Sequence, residues 1–252
     1  MSLINKNWLG VIGISLLAFA MQPKKNIKLF MAGDSTMSIK EVRTYPENGW
    51  GMPFAIFFDS SVTVINRAKN GRSTSSFQTE GLWKSITDEL NEGDYVFIQF
   101  GHNDEVPTKK TATTPEVFKS NLLKFIAETK SKKGIPVLLT SVARRSFDST
   151  GKVISTHEQY ANITREVAKE TGVLFIDMDK KSRELLQQLG PKESIYLFNH
   201  LKAGEHPNYP EGKEDNTHFS ELGARVMAEM ALAEIRLQIP ELASRIYTPA
   251  KK

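Results

Sequence analysis

Ile27-Lys28-Leu29-Phe30-Met31-Ala32 runs directly into Gly33-Asp34-Ser35-Thr36-Met37. The first six residues are a short apolar run of the kind that forms a strand buried on both faces. The next five read as the turn that ends it. A serine just past a strand end stands at the edge of an α/β sheet, where ligands bind. A base for its hydroxyl is available far downstream in Asp215-Asn216-Thr217-His218, with the acid and the imidazole three residues apart. The two segments together predict a serine hydrolase.

Working outward, four more short apolar runs predict strands at 62–66, 95–100, 136–141 and 173–177. Longer amphipathic stretches between them predict helices at 52–58, 76–91, 115–132, 158–171 and 180–189, with a last one at 220–238. Thr114-Pro115-Glu116 is a helix start, with a capping hydroxyl and proline at the first position. Lys133-Gly134 and Thr171-Gly172 supply stops. Five strands alternating with helices predict an α/β fold with a doubly wound parallel sheet. Residues 200–216, with two glycines and two prolines, read as one long loop. That loop leads into Asp215, expected one helical turn before His218 at the start of the last helix.

A chain of 252 residues is one domain with a full-sized core. Its 33 Lys and Arg against 29 acids leave a formal charge of only +4. The basic pairs Lys109-Lys110, Lys132-Lys133, Arg144-Arg145 and Lys180-Lys181 are scattered and lack interleaved aromatics, which argues against a nucleic-acid partner. Absence of cysteine excludes a disulfide and a lipid-modified cysteine anchor. Lys6, the apolar run 9–20 and Ala18-Phe19-Ala20 read as a signal peptide over residues 1–20. The expectation is an exported protein, periplasmic or extracellular and free of the membrane once cleaved, with its catalytic domain at 26–240. An uncleaved anchor helix is the alternative.

Acyl transfer needs a nucleophile, a base, a group to orient the base, and donors for the oxyanion. Ser35, His218 and Asp215 fill the first three roles. The backbone N–H groups of Ser35 and Gly71 and the side-chain amide of Asn103 fill the fourth, since each lies just past a predicted strand end. Each residue alone has a plainer reading. Ser35 and Gly71 suit turns, Gly101-His102-Asn103-Asp104 suits a strand-ending turn, and Asp215 suits a helix cap that leaves His218 on the surface. Their joint placement favours the chemistry. No Gly-x-Ser-x-Gly elbow occurs, which disfavours the α/β-hydrolase fold. A metal site built from His200, His206, Asp215 and His218, with Asp34 and Asp104 nearby, is the rival, but no His-x-x-x-His pair supports it. No nucleotide-binding glycine loop is present, so no cofactor is expected.

Gly33-Asp34-Ser35, Gly71, Gly101-His102-Asn103-Asp104 and Asp215-x-x-His218 resemble the sequence blocks of the SGNH (GDSL-type) hydrolases. Asn70-Gly71-Arg72-Ser73, Ile98-Gln99-Phe100, Pro136-Val137-Leu138-Leu139-Thr140 with Arg144-Arg145, and Thr156-His157 with Tyr160 are similar to the rhamnogalacturonan acetylesterase branch. The resemblance implies a flavodoxin-like three-layer α/β/α sandwich, the roles already given to Ser35, Gly71, Asn103, Asp215 and His218, and no cofactor or metal. It implies an acetylated polysaccharide or oligosaccharide as substrate, rhamnogalacturonan first, with Asp34, Arg72, His102, Arg144 and Arg145 expected to contact it. An arginine fork suits a uronate carboxylate. Ser75-Ser76 departs from relatives that carry an arginine there. An esterase for xylan or another acetylated glycan is the alternative within enzymes. A catalytically silent glycan-binding module is the alternative outside them.

Overall fold

The computed structural model describes residues 25–248, so the expected leader at 1–20 lies outside the described residues. The five apolar runs become β1 (Ile27–Gly33), β2 (Val62–Asn66), β3 (Tyr95–Gln99), β4 (Ile135–Leu139) and β5 (Leu174–Ile176). They form one parallel sheet in the order β2-β1-β3-β4-β5. Period-two alternation sends Leu29 and Met31 to one face and Phe30 and Ala32 to the other, all with no exposed surface. Burial on both faces is why the run is apolar throughout.

Each face carries its own core. On the Leu29 side pack α1 (Gly51–Phe54), α6 (Met178–Glu193), α7 (Glu221–Gln238) and the short α8 (Pro240–Ala243). On the Phe30 side pack α2 (Thr74–Thr79), α3 (Leu82–Glu89), α4 (Pro115–Ser131) and α5 (Glu158–Thr171). The result is the flavodoxin-like three-layer sandwich. The chain leaves β1 for β2 on one side and returns to β3 on the other, so the strand order reverses at β1 and a crevice opens at the carboxyl ends. Met31 pairs with Asn66 and Gly33 with Gln99, so the turns after β1, β2 and β3 start at neighbouring levels.

Local signals explain most boundaries. Thr114 accepts the N–H of Val117 and Pro115 opens α4, while Gly172 in left-handed conformation closes α5. Two expectations are corrected. The helix expected over 76–91 is two helices, because Gly81 breaks it at φ +75° and Ser73 and Ser76 form a capping box one turn earlier than expected. The loop expected over 200–216 is the arm of a hairpin: β6 (Phe198–Leu201) and β7 (Lys213–Phe219) pair antiparallel. Phe198 and Phe219 anchor its base, their ring centroids 5.4 Å apart. Asp215 and His218 therefore lie on β7, ahead of α7, and not on a helical turn. No helix among the described residues is long and apolar enough to cross a membrane.

Candidate active site

The turn after β1 is built by Asp34, whose Oδ1 accepts the Thr36 N–H at 2.9 Å and the Thr36 hydroxyl at 2.8 Å. From beneath, the Gln99 amide donates to Thr36 Oγ1 at 2.8 Å, and the Trp50 indole donates to Gln99 Oε1 at 3.0 Å. Every member of this chain is buried. These buried hydrogen bonds leave the turn little freedom, although Asp34 Oδ2 has no partner among the described residues, and Ser35 rides on that turn at the mouth of the crevice.

His218 reaches that turn from the hairpin. His200 pairs with Glu214 but Phe198 with Phe219, so two steps along β6 span five along β7 and the chain bulges out at 215–218. Asp215 Oδ1 accepts the N–H groups of Thr217 at 2.8 Å and His218 at 2.9 Å, which folds the bulge back on itself. The His218 ring then meets Asp215 Oδ2 through Nδ1 at 2.9 Å and Ser35 Oγ through Nε2 at 2.9 Å. Partial burial works to raise the Asp215 pKa, but the His218 ring and the two backbone N–H groups outweigh it and hold the carboxyl well below the usual range. An ionised Oδ2 requires the proton on Nδ1. The lone pair on Nε2 is then free to accept the Ser35 proton.

Opposite the imidazole, Gly71 adopts φ +77°, which favours glycine, and a Cβ there would meet nothing within 4 Å. Among the described residues no acceptor takes the N–H of Ser35 or Gly71. Asn103 donates one Nδ2 hydrogen to Arg72 O at 3.0 Å, while Lys109 Nζ donates to Asn103 Oδ1 at 2.5 Å. Those two bonds fix the amide orientation and leave the second Nδ2 hydrogen available.

Of the five expected substrate contacts two are buried and three are arginines bonded within the protein, Arg72 and Arg144 keeping partial exposure. Asp34 is fully buried in its turn, so it has no surface to offer a ligand. His102 is also buried, its ring edge-on to His157 at 4.2 Å, and burial followed by its cationic neighbours lowers its pKa well below the histidine range. Arg72 grips Glu80 at 2.7 and 2.9 Å, and Arg144 grips Glu105 at 2.5 Å and His102 O at 3.2 Å. Arg145 holds the bulge in place: its Nη1 donates to Asn216 Oδ1 at 2.9 Å, its Nε to Ser194, and its Nη2 to Pro191 O. Ser76 completes the cap of α2, and Ser75 Oγ accepts from Asn121, so the departure at these positions serves local structure.

The residues of the metal alternative are dispersed among other partners. His200 Nε2 lies 2.9 Å from Asn216 Oδ1, and His206 Nδ1 accepts the Asn208 N–H. Glu47, Asp215 and His218 do bring one ligand atom each within 4.8 Å of one another. Glu47, however, bonds Lys40 at 2.7 Å, and the other two bond each other.

Three features escaped the sequence. Lys40 and Glu47 form a buried pair beside Ser35, and no local pattern marks a lone lysine as buried. Glu105 and His157 form a second carboxylate–imidazole pair at 2.7 Å, of which only Thr156-His157 stood out. Asp104 accepts the N–H and hydroxyl of Thr74 and the hydroxyl of Thr113, tying the turn after β3 to α2. Burial pushes its pKa up to about 6 against those bonds.

Residues 31–226 match the sequence pattern of the GDSL-like lipase/acylhydrolase family. The chain is 44% identical to rhamnogalacturonan acetylesterase RhgT of Bacillus subtilis (strain 168), over 82% of this chain and 88% of that protein. It is 31% identical to the probable rhamnogalacturonan acetylesterase YesY of the same organism, over 82% and 92%. The Bacillus subtilis protein YXIM superposes with a TM-score of 0.72 at 26% identity. That match covers 86% of this chain but only 58% of YXIM, so the chain spans little more than half of that structure.

Proposed function

Because the chain belongs to the GDSL-like lipase/acylhydrolase family and is a carboxylic ester hydrolase, we propose that it is an exported serine esterase that removes O-acetyl groups from rhamnogalacturonan. One observation carries the mechanism: Asp215, His218 and Ser35 are joined in series by two hydrogen bonds of 2.9 Å. Nε2 of His218 takes the Ser35 proton as Oγ attacks the acetyl carbonyl carbon. The negative charge that develops on the carbonyl oxygen is received by the N–H groups of Ser35 and Gly71 and by the Asn103 amide. Asp215 stabilises the imidazolium, which protonates the departing sugar oxygen. An acetyl group is left on Ser35 Oγ. Water, deprotonated by Nε2, attacks that ester, acetate leaves, and the proton returns to Ser35.

Two features support a polymer as substrate. Two surface clefts neighbour the loops that carry the site, one lined in part by Lys69, Asn70 and Arg72 and the other in part by Glu105, Arg144 and His157. Arg72 and Arg144 keep partial exposure there and are the basic side chains suited to a uronate carboxylate. The choice of rhamnogalacturonan rests on the identity to RhgT, and export rests on the composition of residues 1–20.

Acetate release from acetylated rhamnogalacturonan, homogalacturonan and xylan tests the proposal, with Ser35→Ala alongside. The first polymer is expected to be deacetylated fastest and the variant to be inactive. Faster release from xylan would overturn the substrate, and undiminished release by Ser35→Ala would overturn the mechanism. N-terminal sequencing of secreted protein should begin at Met21.

A further inference from the structure

The last backbone bond between the chains leaving β1 and β2 runs from Lys69 N to Gly33 O at 3.0 Å. Beyond it, Ser35 and Gly71 belong to separate turns, and oxyanion stabilisation depends on their separation to within fractions of an ångström. Among the described residues only side chains join those turns. Lys40 Nζ, with its side chain fully buried, donates to the carbonyl oxygen of Ser35 at 2.5 Å and to Asn70 Oδ1 at 3.0 Å. Ser38 Oγ, with a single hydrogen to donate, lies 2.6 Å from Asn70 Oδ1 and 3.3 Å from Ser35 O. The third Lys40 hydrogen goes to Glu47 at 2.7 Å, and a Glu47 carboxylate oxygen lies within 4.8 Å of ligand atoms of Asp215 and His218.

We infer that Lys40 is a positioning residue that sets the gap between the nucleophile turn and the oxyanion loop. A buried ammonium needs a carboxylate partner, and Glu47 supplies it. Neutralising that charge needs no more than Glu47. The other two hydrogens go to the nucleophile's own carbonyl and to the residue before Gly71, where they bear on geometry. Burial lowers the lysine pKa and Glu47 opposes the change. This inference rests on the reading of Ser35 as the nucleophile.

Lys40→Met, Lys40→Met with Glu47→Gln, and Asn70→Ala, each in the full chain, are assayed with 4-nitrophenyl acetate and by thermal melting. Ser35→Ala is measured in parallel. Lys40→Met is expected to lower kcat about 10- to 100-fold, the scale of a small misplacement, with KM within about threefold of wild type. The double variant removes the unpaired carboxylate as well, so Tm should recover while kcat stays low. Asn70 is exposed and its truncation strands no charge, so Asn70→Ala should fold and still lose about tenfold in kcat. Recovery of kcat together with Tm in the double variant would overturn the inference, and so would wild-type kcat in Asn70→Ala. If neither lysine variant folds, Asn70→Ala decides alone. An active Ser35→Ala would instead remove the reading beneath it, a result distinguishable from an inactive Ser35→Ala beside a fully active Asn70→Ala.

Discussion

Among the described residues, two carboxylate–imidazole pairs share a similar geometry in different surroundings. Asp215 and His218 meet at 2.9 Å on the β7 bulge, Glu105 and His157 at 2.7 Å on the far side of the crevice. In the first pair the remaining ring nitrogen faces a serine hydroxyl, and the ring is partly open to solvent. In the second the remaining nitrogen is buried without a protein partner, the ring lies against His102, and the carboxylate is shared with Arg144. The pair by itself therefore does not mark a catalyst. What faces the second nitrogen decides whether it moves a proton or braces a turn.

The strongest way to break that distinction is to remove each imidazole. His218→Ala should lower kcat/KM by about 10,000-fold or more, as loss of a triad base does elsewhere, while His157→Ala should cost less than about tenfold in kcat. Comparable losses from both, measured by acetate release on folded protein, would erase the difference. The acids come next. In Asp215→Asn the amide would donate to Nδ1 and force the proton onto Nε2, where it blocks the Ser35 hydroxyl, so a drop of about 10,000-fold or somewhat less is expected. Glu105→Gln should keep activity within about tenfold of wild type, because no catalytic proton passes through His157. Asn103→Ala should lower kcat about 100- to 1,000-fold as the loss of an oxyanion donor.

Asp104, beside the second pair, gives a stability contrast. Its native pKa of about 6 exceeds the unfolded value of about 3.9, so the native state holds the extra proton between them. This contribution is fully present below about pH 4 and is lost as pH rises from there through about 6, a change of about 3 kcal/mol. Urea unfolding of Asp104→Asn between about pH 4 and 7 should lack that decline. The smallest effect is expected from EDTA, which should leave acetate release unchanged. Loss of activity restored by a divalent ion would make Glu47, Asp215 and His218 a metal site.

Much of this was legible because buried parallel strands cannot disguise themselves. A strand covered on both faces must be apolar along its length, so the five runs and their order could be read within a residue or two. Glycine and proline signals placed most helix ends for equally local reasons. The break at Gly81 was visible in principle, but the amphipathic pattern continues across it and masked it. The hairpin of β6 and β7 was hidden because its strands are largely polar and joined through a turn-rich tip, and their pairing, with Phe198 against Phe219 at the base, forms only in the folded chain. The five expected substrate contacts were chosen by position and charge. Whether a guanidinium or a carboxyl faces solvent or a neighbour depends on partners distant in sequence, as with Arg144 and Glu105, 39 residues apart.

The sequence by itself determined the layered sheet, the strand ends that carry Ser35, Gly71 and Asn103, and the acid and imidazole that could serve them. Those follow from hydrophobic period, turn chemistry and the residue types an acyl transfer needs, all local properties of the chain. Only the tertiary structure decided that Asp215 and His218 approach on a strand bulge tethered by Arg145. It alone buries Asp34 in the turn and sets Lys40 between the Ser35 turn and the Gly71 loop. Contacts across 30 to 183 residues make those arrangements. Their energy lies in burial and hydrogen-bond geometry that exist only once the layers have packed.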